Sequence, residues 1–308
     1  MKDIRENIAT QKQRLDVLLK NKDNRAILNR WLKTELAYTS NAIEGNTLTR
    51  KETTLAIEEN ITSGSKPIND YLEARNHAAA YDFVVERATG KSKVDEATVL
   101  KIHRLILSGI DETNAGLYRS IRVRLAGSQT ILPNPVKVPE LMEEFSLWLA
   151  TGEEDAVDKA IKAHYRLVTI HPFVDGNGRT ARLLMNMILM SAGYCPVIIR
   201  PIDRRRYLVT LETRQTKDDA TPYINFMCSA LNRSLKTVID ALDTDKDAGT
   251  QKLLTISKFA KLVGVPTSTI RYWVKIGKIV PAAYRDSGYM MFDPKQKDDL
   301  KKLALLVQ

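Results

Sequence analysis

Two cysteines in 308 residues, Cys195 and Cys228, are too few for a disulfide framework. Both sit among apolar neighbours and read as packing residues, and their scarcity fits a reducing cytoplasm. No run of eighteen apolar residues occurs, which excludes a helical membrane span. The first thirty residues are charged throughout, so no secretory signal is expected there. Alternating strand and helix periods are missing too, which argues against a doubly wound nucleotide-binding sheet. What is present is a chain with 44% hydrophobic residues, long enough for two or three domains. Its net charge of +10 is unevenly placed. Residues 251–308 carry eleven Lys and Arg against four Asp and Glu, a surplus of seven that points to an acidic partner.

One stretch concentrates chemistry: His171-Pro-Phe-Val-Asp175-Gly176-Asn177-Gly178-Arg179-Thr-Ala-Arg182. Pro172 keeps its neighbours out of a helix interior. Gly176, Asn177 and Gly178 readily take left-handed and mixed dihedrals, so their backbone N–H groups can form an anion nest. Strong helix formers follow, with Leu183, Met187 and Met190 on one side, so the nest opens a helix whose dipole also favours negative charge. Arg179 and Arg182 share a face of that first turn, where cations oppose the dipole unless an anion lies beside them. His171 is a candidate base and Asp175 an oxygen ligand for a hard cation such as Mg²⁺. Together they describe a polyphosphate-handling site. Gly176 to Ala181 also matches a Gly-x-Gly-x-x-Ala dinucleotide fingerprint, but that motif needs a strand-borne acid about twenty residues on, and none is there.

The twelve residues resemble the complete signature of Fic-domain proteins, with no position missing. That resemblance implies a mostly α fold: a helical Fic core with a short β-hairpin flap. It also implies AMP transfer from ATP, with Mg²⁺, to a Ser, Thr or Tyr hydroxyl of a protein substrate, the chain itself included. In that scheme His171 takes the hydroxyl proton and Asp175 holds Mg²⁺. Gly176, Asn177 and Gly178 cradle phosphate oxygens, and Arg179 and Arg182 neutralise the leaving pyrophosphate. An acidic residue at 175 favours AMP transfer over the other chemistries of the family.

Upstream, Asn24 is a candidate cap for a helix with Ile27, Leu28, Trp31, Leu32 and Leu36 on its apolar face, stopped at Glu44 by Gly45. A glutamate in a last helical turn is disfavoured by about 0.3–1 kcal/mol, which solvation could absorb or a cation could relieve. The string Ser40-Asn-Ala-Ile-Glu44-Gly45 resembles the inhibitory motif of Fic proteins. There the glutamate reaches the second arginine of the signature, here Arg182, and blocks placement of the γ-phosphate. Within the same family, Glu44 could instead position water for removing AMP.

Further helices are expected at Thr49–Asn60, with Thr49 and Glu52 as a capping box, and at 69–88 and 95–108. His77 and His103 fall within the last two; His77 reads as a packed or surface residue rather than a ligand, and His103 as a structural one. The next is Val138–Leu149, with Leu141, Phe145 and Trp148 inward, and then 155–169, delivering His171. Short β-prone runs near Gly127, bounded by Pro133 and Pro135, suggest a hairpin. The resemblance makes Ser128, Gln129, Thr130 and Ile131 a flap that holds a target segment by backbone pairing.

Boundaries are expected at 1–94 for an N-terminal helical region, 95–239 for the core and 240–250 for a polar linker. The last segment, 251–308, is a helix-turn-helix: a helix from Ile256, a break at Gly264, a second helix over 267–276, then a wing turning at Ser287–Gly288. It resembles MerR-type DNA-binding modules, with Ser268, Arg271 and Lys275 facing out, although winged helices of this size also serve protein contacts. A DNA-binding regulator whose core senses nucleotide is thus a second reading of the chain. The oligomeric state, a homodimer included, is left open.

Overall fold

Apolar residues spaced at helical period along most of the chain fold into a mostly helical protein. The computed structural model describes residues 2–62, 66–90, 93–151, 154–243, 253–276, 278–284, 290–294 and 296–297. The chain divides into two compact units, residues 1–242 and 243–308.

In the larger unit the helices are α1 (Lys2–Leu18), α2 (Lys22–Glu44), α3 (Arg50–Glu58), α4 (Ile68–Thr89), α5 (Glu96–Leu107) and α6 (Val138–Thr151). They continue as α7 (Ala156–Ile170), α8 (Asn177–Ser191), α9 (Arg204–Lys217) and α10 (Thr221–Leu242). The centre is α8, buried from Arg179 through Leu189, with Arg182 and Asn186 as buried polar residues beyond its first turn. Helices α7, α4, α5 and α2 pack around it, and α1 lies along α10. Residues 1–94 and 95–239 share one hydrophobic cluster, in which Leu32 and Ile43 stand with Phe173 and Leu184.

The cap of α2 is Asn21, not Asn24: the turn after Leu18 is tight, and Asn21 takes the extended backbone while its side chain accepts from Asp23 N. Asn24, inside the first turn, instead donates to the Leu18 carbonyl at 3.0 Å. At the other end Gly45 has φ 103°. The Gly45 N–H donates to Ala42 O (3.2 Å) and the Asn46 N–H to Asn41 O (3.1 Å), closing the helix at Glu44. The Thr49–Glu52 capping box is formed.

Helix α6 is rotated from the expected phase. Val138, Met142, Phe145 and Leu149 face inward, while the Trp148 indole N–H donates to Glu154, keeping that ring at the rim. The hairpin expected around Gly127 does not form: residues 121–134 make no strand pairing and run as an irregular loop. The backbone of Pro133 and Pro135 cannot donate to a ladder, and α9 side chains hold the loop instead.

The smaller unit places α11 (Ile256–Val263) and α12 (Thr267–Lys275) about Gly264, which has φ 82°. Strands β1 (Leu254–Thr255), β2 (Ala283–Tyr284) and β3 (Met290–Phe292) form an antiparallel sheet in the order β1-β3-β2, with Leu254 opposite Phe292 and Ala283 opposite Met291. Its core is Phe259, Ala260, Ile270, Ile279 and Phe292, the two phenylalanine rings stacked 4.9 Å apart. The wing turn at Ser287–Gly288 and most of the 240–250 linker lie outside the described residues.

Candidate active site

Helix α7 ends where Pro172 forbids its continuation, and His171 takes the left-handed cap at φ 51°, ψ 58°. Its Nδ1 lies 3.2 Å from the Val168 carbonyl. A carbonyl only accepts, so Nδ1 carries the hydrogen and Nε2 keeps the lone pair. Burial holds the imidazole below the ordinary histidine range, and the Arg119 charge adds to this, against the opposing Val168 carbonyl, Glu44 and Asp175. His171 is therefore a neutral ring with a free acceptor nitrogen at neutral pH.

The turn from His171 to α8 is built from both sides. Asn177 accepts the Phe173 N–H (3.0 Å) and donates to the Phe173 carbonyl (2.9 Å), so its side chain is consumed in closing the loop. That leaves only the Asn177 backbone for an anion. The Phe173 ring stacks on His103, centroids 3.6 Å apart and planes 4° apart. His103 accepts the Gly116 N–H at Nδ1 (2.9 Å), and its Nε2–H donates to Asp175 O (3.0 Å). Gly176 has φ 74°, and a β-carbon there would meet the His103 ring at 3.2 Å. His103, read from sequence as a structural residue, thus shapes the nest.

At the mouth, the Asp175 carboxylate is 69% exposed and receives Arg179 Nη2 at 3.0 Å. Arg179 is buried, and its Nη1 donates to Glu73 of α4 at 2.8 Å. Glu73 also accepts from Asn46, the second residue past Glu44 (2.8 Å). Arg182 lies deeper. Its Nε donates to Ser40 Oγ (2.9 Å), and its Nη2 donates to both Ser40 O (2.9 Å) and Glu44 Oε1 (2.7 Å). Burial opposes the Arg182 charge, but Glu44, helped by Tyr207, outweighs it and holds the guanidinium above its ordinary range. The Glu44 carboxylate lies directly on Gly178, where any β-carbon would collide with it. Behind Tyr207 run two more buried groups: its hydroxyl is 2.9 Å from His164, which is 2.7 Å from the Tyr223 hydroxyl.

The structure therefore brings Ser40, Glu44, His171, Asp175, Gly176, Gly178, Arg179 and Arg182 to one locus. The loop residues Ser128, Gln129 and Thr130 are fastened to α9, and Ile131 is almost fully exposed. Ser268, Arg271 and Lys275 are exposed on α12 of the other unit. Glu73, His103 and Arg119 had no marker in the sequence, since each acts through partners far away in the chain.

Residues 93–189 match the family model described as Fic/DOC family. A Fic domain containing signalling protein from Bacteroides thetaiotaomicron superposes with a TM-score of 0.68 and 31% identity, covering 77% of this chain and 98% of that one. The chain belongs to the Fic family. The Fic match begins after Ser40 and Glu44, so α2 and its carboxylate lie outside it. Among curated relatives, the protein adenylyltransferase Fic of Nematostella vectensis is 38% identical over 204 residues, and that of Drosophila grimshawi 34% over 201. Both alignments cover 64% of this chain but only 47% and 41% of the relatives, so this Fic protein matches less than half the length of each. Residues 255–292 match the family model described as MerR family regulatory protein.

Proposed function

We propose that the larger unit transfers AMP from ATP to a hydroxyl of a protein, with Glu44 as its restraint. The observation that carries this reading is the position of Glu44, an anion seated on Gly178 in the first turn of α8 and bound to Arg182. That address suits a phosphate oxygen. The protein adenylyltransferase name of the relatives supports the same chemistry.

In the transfer, the target hydroxyl attacks the α-phosphorus, its proton passes to His171 Nε2, and the bond to the β-phosphate breaks to release pyrophosphate. The nest of α8, with Arg179 and Arg182, holds phosphate oxygens and the charge that builds on the leaving group. For these contacts Arg182 must leave Glu44, and Arg179 must share its donors with Asp175 and Glu73. The Asp175 carboxylate stands open at the mouth, and among the described residues no cluster of three metal-ligating side chains exists. That fits Mg²⁺, which keeps several waters and takes its other oxygens from substrate phosphates. Bound there by Asp175, it would supply charge neutralisation.

The test is Glu44→Gly incubated with ATP labelled at the α-phosphate and with cell extract. Label retained on protein, with pyrophosphate released, is the expected result. Absence of label from every protein, including the chain itself, would overturn the reading. Loss of label from pre-modified protein faster with Glu44 than without it would favour AMP removal, with Glu44 positioning water.

For the smaller unit the reading is a DNA-binding module, supported by the MerR match and by the outward Ser268, Arg271 and Lys275 of α12.

A further inference from the structure

Arg119 is 3% exposed, and its hydrogen bonds go to main-chain carbonyls alone. Its Nε donates to His171 O at 2.7 Å, Nη1 to Ile121 O at 3.2 Å and Nη2 to Pro133 O at 2.7 Å. Its own backbone N–H donates to Pro172 O at 2.9 Å. One guanidinium thus grips the residue carrying the base and both stems of the 121–133 loop. The tip of that loop is fastened as well. Ser128 Oγ and the Gln129 N–H donate to Glu212 at 2.7 and 2.8 Å, and Thr130 donates to Gln215 at 3.1 Å. Gln215 in turn donates to Thr169, two residues before His171, at 3.1 Å. The stems therefore lead to His171 and Pro172, just past α7, and the tip to α9, which Gln215 ties to Thr169 in the last turn of α7.

His171 also needs an external hold. Its left-handed backbone is disfavoured for any residue with a β-carbon, and the grip on its carbonyl opposes relaxation. A lysine could not reproduce this, since one ammonium cannot serve three carbonyls in a fixed planar fork.

We propose that Arg119 is a positioning residue that couples the 121–133 loop to the imidazole of His171, so that seating a protein segment on the loop and aligning the base are one event. This rests on the transfer reading for the segment, but the coupling itself concerns two parts of this chain. Arg119 does not touch the reacting atoms. It sets the loop that would receive the target and the ring that would take its proton.

The test uses Arg119→Met and Arg119→Lys in the full chain carrying Glu44→Gly. Arg122 and Arg124 are exposed in the loop, so trypsin reads its opening directly. With the stems released, cleavage there should quicken about tenfold, following the population of the open loop. The His171 ring, followed by NMR, should titrate at higher pH in Arg119→Met, because a neighbouring positive charge is gone while Glu44→Gly and Asp175 are common to parent and variant. Arg119→Lys keeps the charge, so it should open the loop without moving the titration as far. In both, turnover should fall ~10-fold or more and KM for the protein target should rise, with ATP affinity unchanged.

A folded Arg119→Met with parental cleavage and parental titration overturns the proposal. Should that variant not fold, Arg119→Lys with parental cleavage and turnover overturns it equally. If the Glu44→Gly parent modifies no protein, the transfer reading fails, and cleavage and titration still decide the coupling.

Discussion

Glu44 and Arg182 meet at 2.7 Å across a sequence separation of 138 residues, each relieving the misfit of the other. A carboxylate at a helix C-terminus opposes its dipole, and the Arg182 guanidinium, buried in the second turn of α8, is cut off from water. Pairing cancels both penalties and consumes part of the donor fork of Arg182. The Ser40 hydroxyl and carbonyl take the rest of that face.

Removing the carboxylate should raise AMP transfer, including transfer to the chain itself. Arg182→Ala should not mimic the gain, because it removes a phosphate contact together with the lock. The double variant Glu44→Gly with Arg182→Ala should be as inactive as Arg182→Ala alone. Initial rates with α-labelled ATP for the four proteins complete the cycle, and a Glu44→Gly rate no higher than the parent would refute the restraint.

His171→Ala should lower transfer by ~10²–10⁴-fold while the unfolding transition stays in place. The ring works only when neutral, and burial holds it below the ordinary histidine range. The acidic limb of the rate profile should therefore lie below pH ~6.5, the value of an unperturbed histidine. Rates of Glu44→Gly from pH 5 to 8 measure it, and a limb at or above that value would contradict the assignment.

Stability should fall in acid for a separate reason. Burial, as the largest cause, pushes His77 and His164 down to about 3 and His103 to about 4. Unfolded, all three bind a proton below pH ~6.5, whereas folded they do not until about pH 4 or lower. Between those limits the unfolded state holds more protons, so stability drops as pH falls, by about 4 kcal/mol per pH unit near pH 5 from these three rings. Urea midpoints at pH 7.5, 6 and 5 test this, and a flat series would show that the rings are charged in the fold.

The 243–308 unit should retard duplex DNA weakly at low salt, with affinity falling steeply as salt rises through counterion release. Arg271→Ala, at an exposed position on α12, should weaken binding and lower the salt slope by about one if Arg271 contacts phosphate. A unit that shifts no duplex even at low ionic strength would point to a protein partner.

Short-range rules made much of this protein legible before any coordinates. Pro172 ends α7, Gly45 ends α2 and Gly264 separates α11 from α12, each through a local dihedral constraint that neighbouring residues cannot override. The Thr49–Glu52 cap is equally local. Two of the misreadings were also local: two asparagines three residues apart competed for one cap, and α6 turns Val138, Met142 and Leu149 inward with Phe145 where Leu141 and Trp148 were expected.

The sequence by itself determined the helices, the twelve-residue site and the charges that oppose their dipoles, because these follow from spacing along one chain. Tertiary structure alone decided which charge meets which. It set Glu44 on Gly178, tied Arg179 to Glu73, spent the Asn177 side chain on Phe173 and replaced the expected hairpin with a loop held by Arg119, Glu212 and Gln215. The physical reason is that a buried polar group must find a partner at hydrogen-bond distance, and which group stands there is settled by the packing of distant helices.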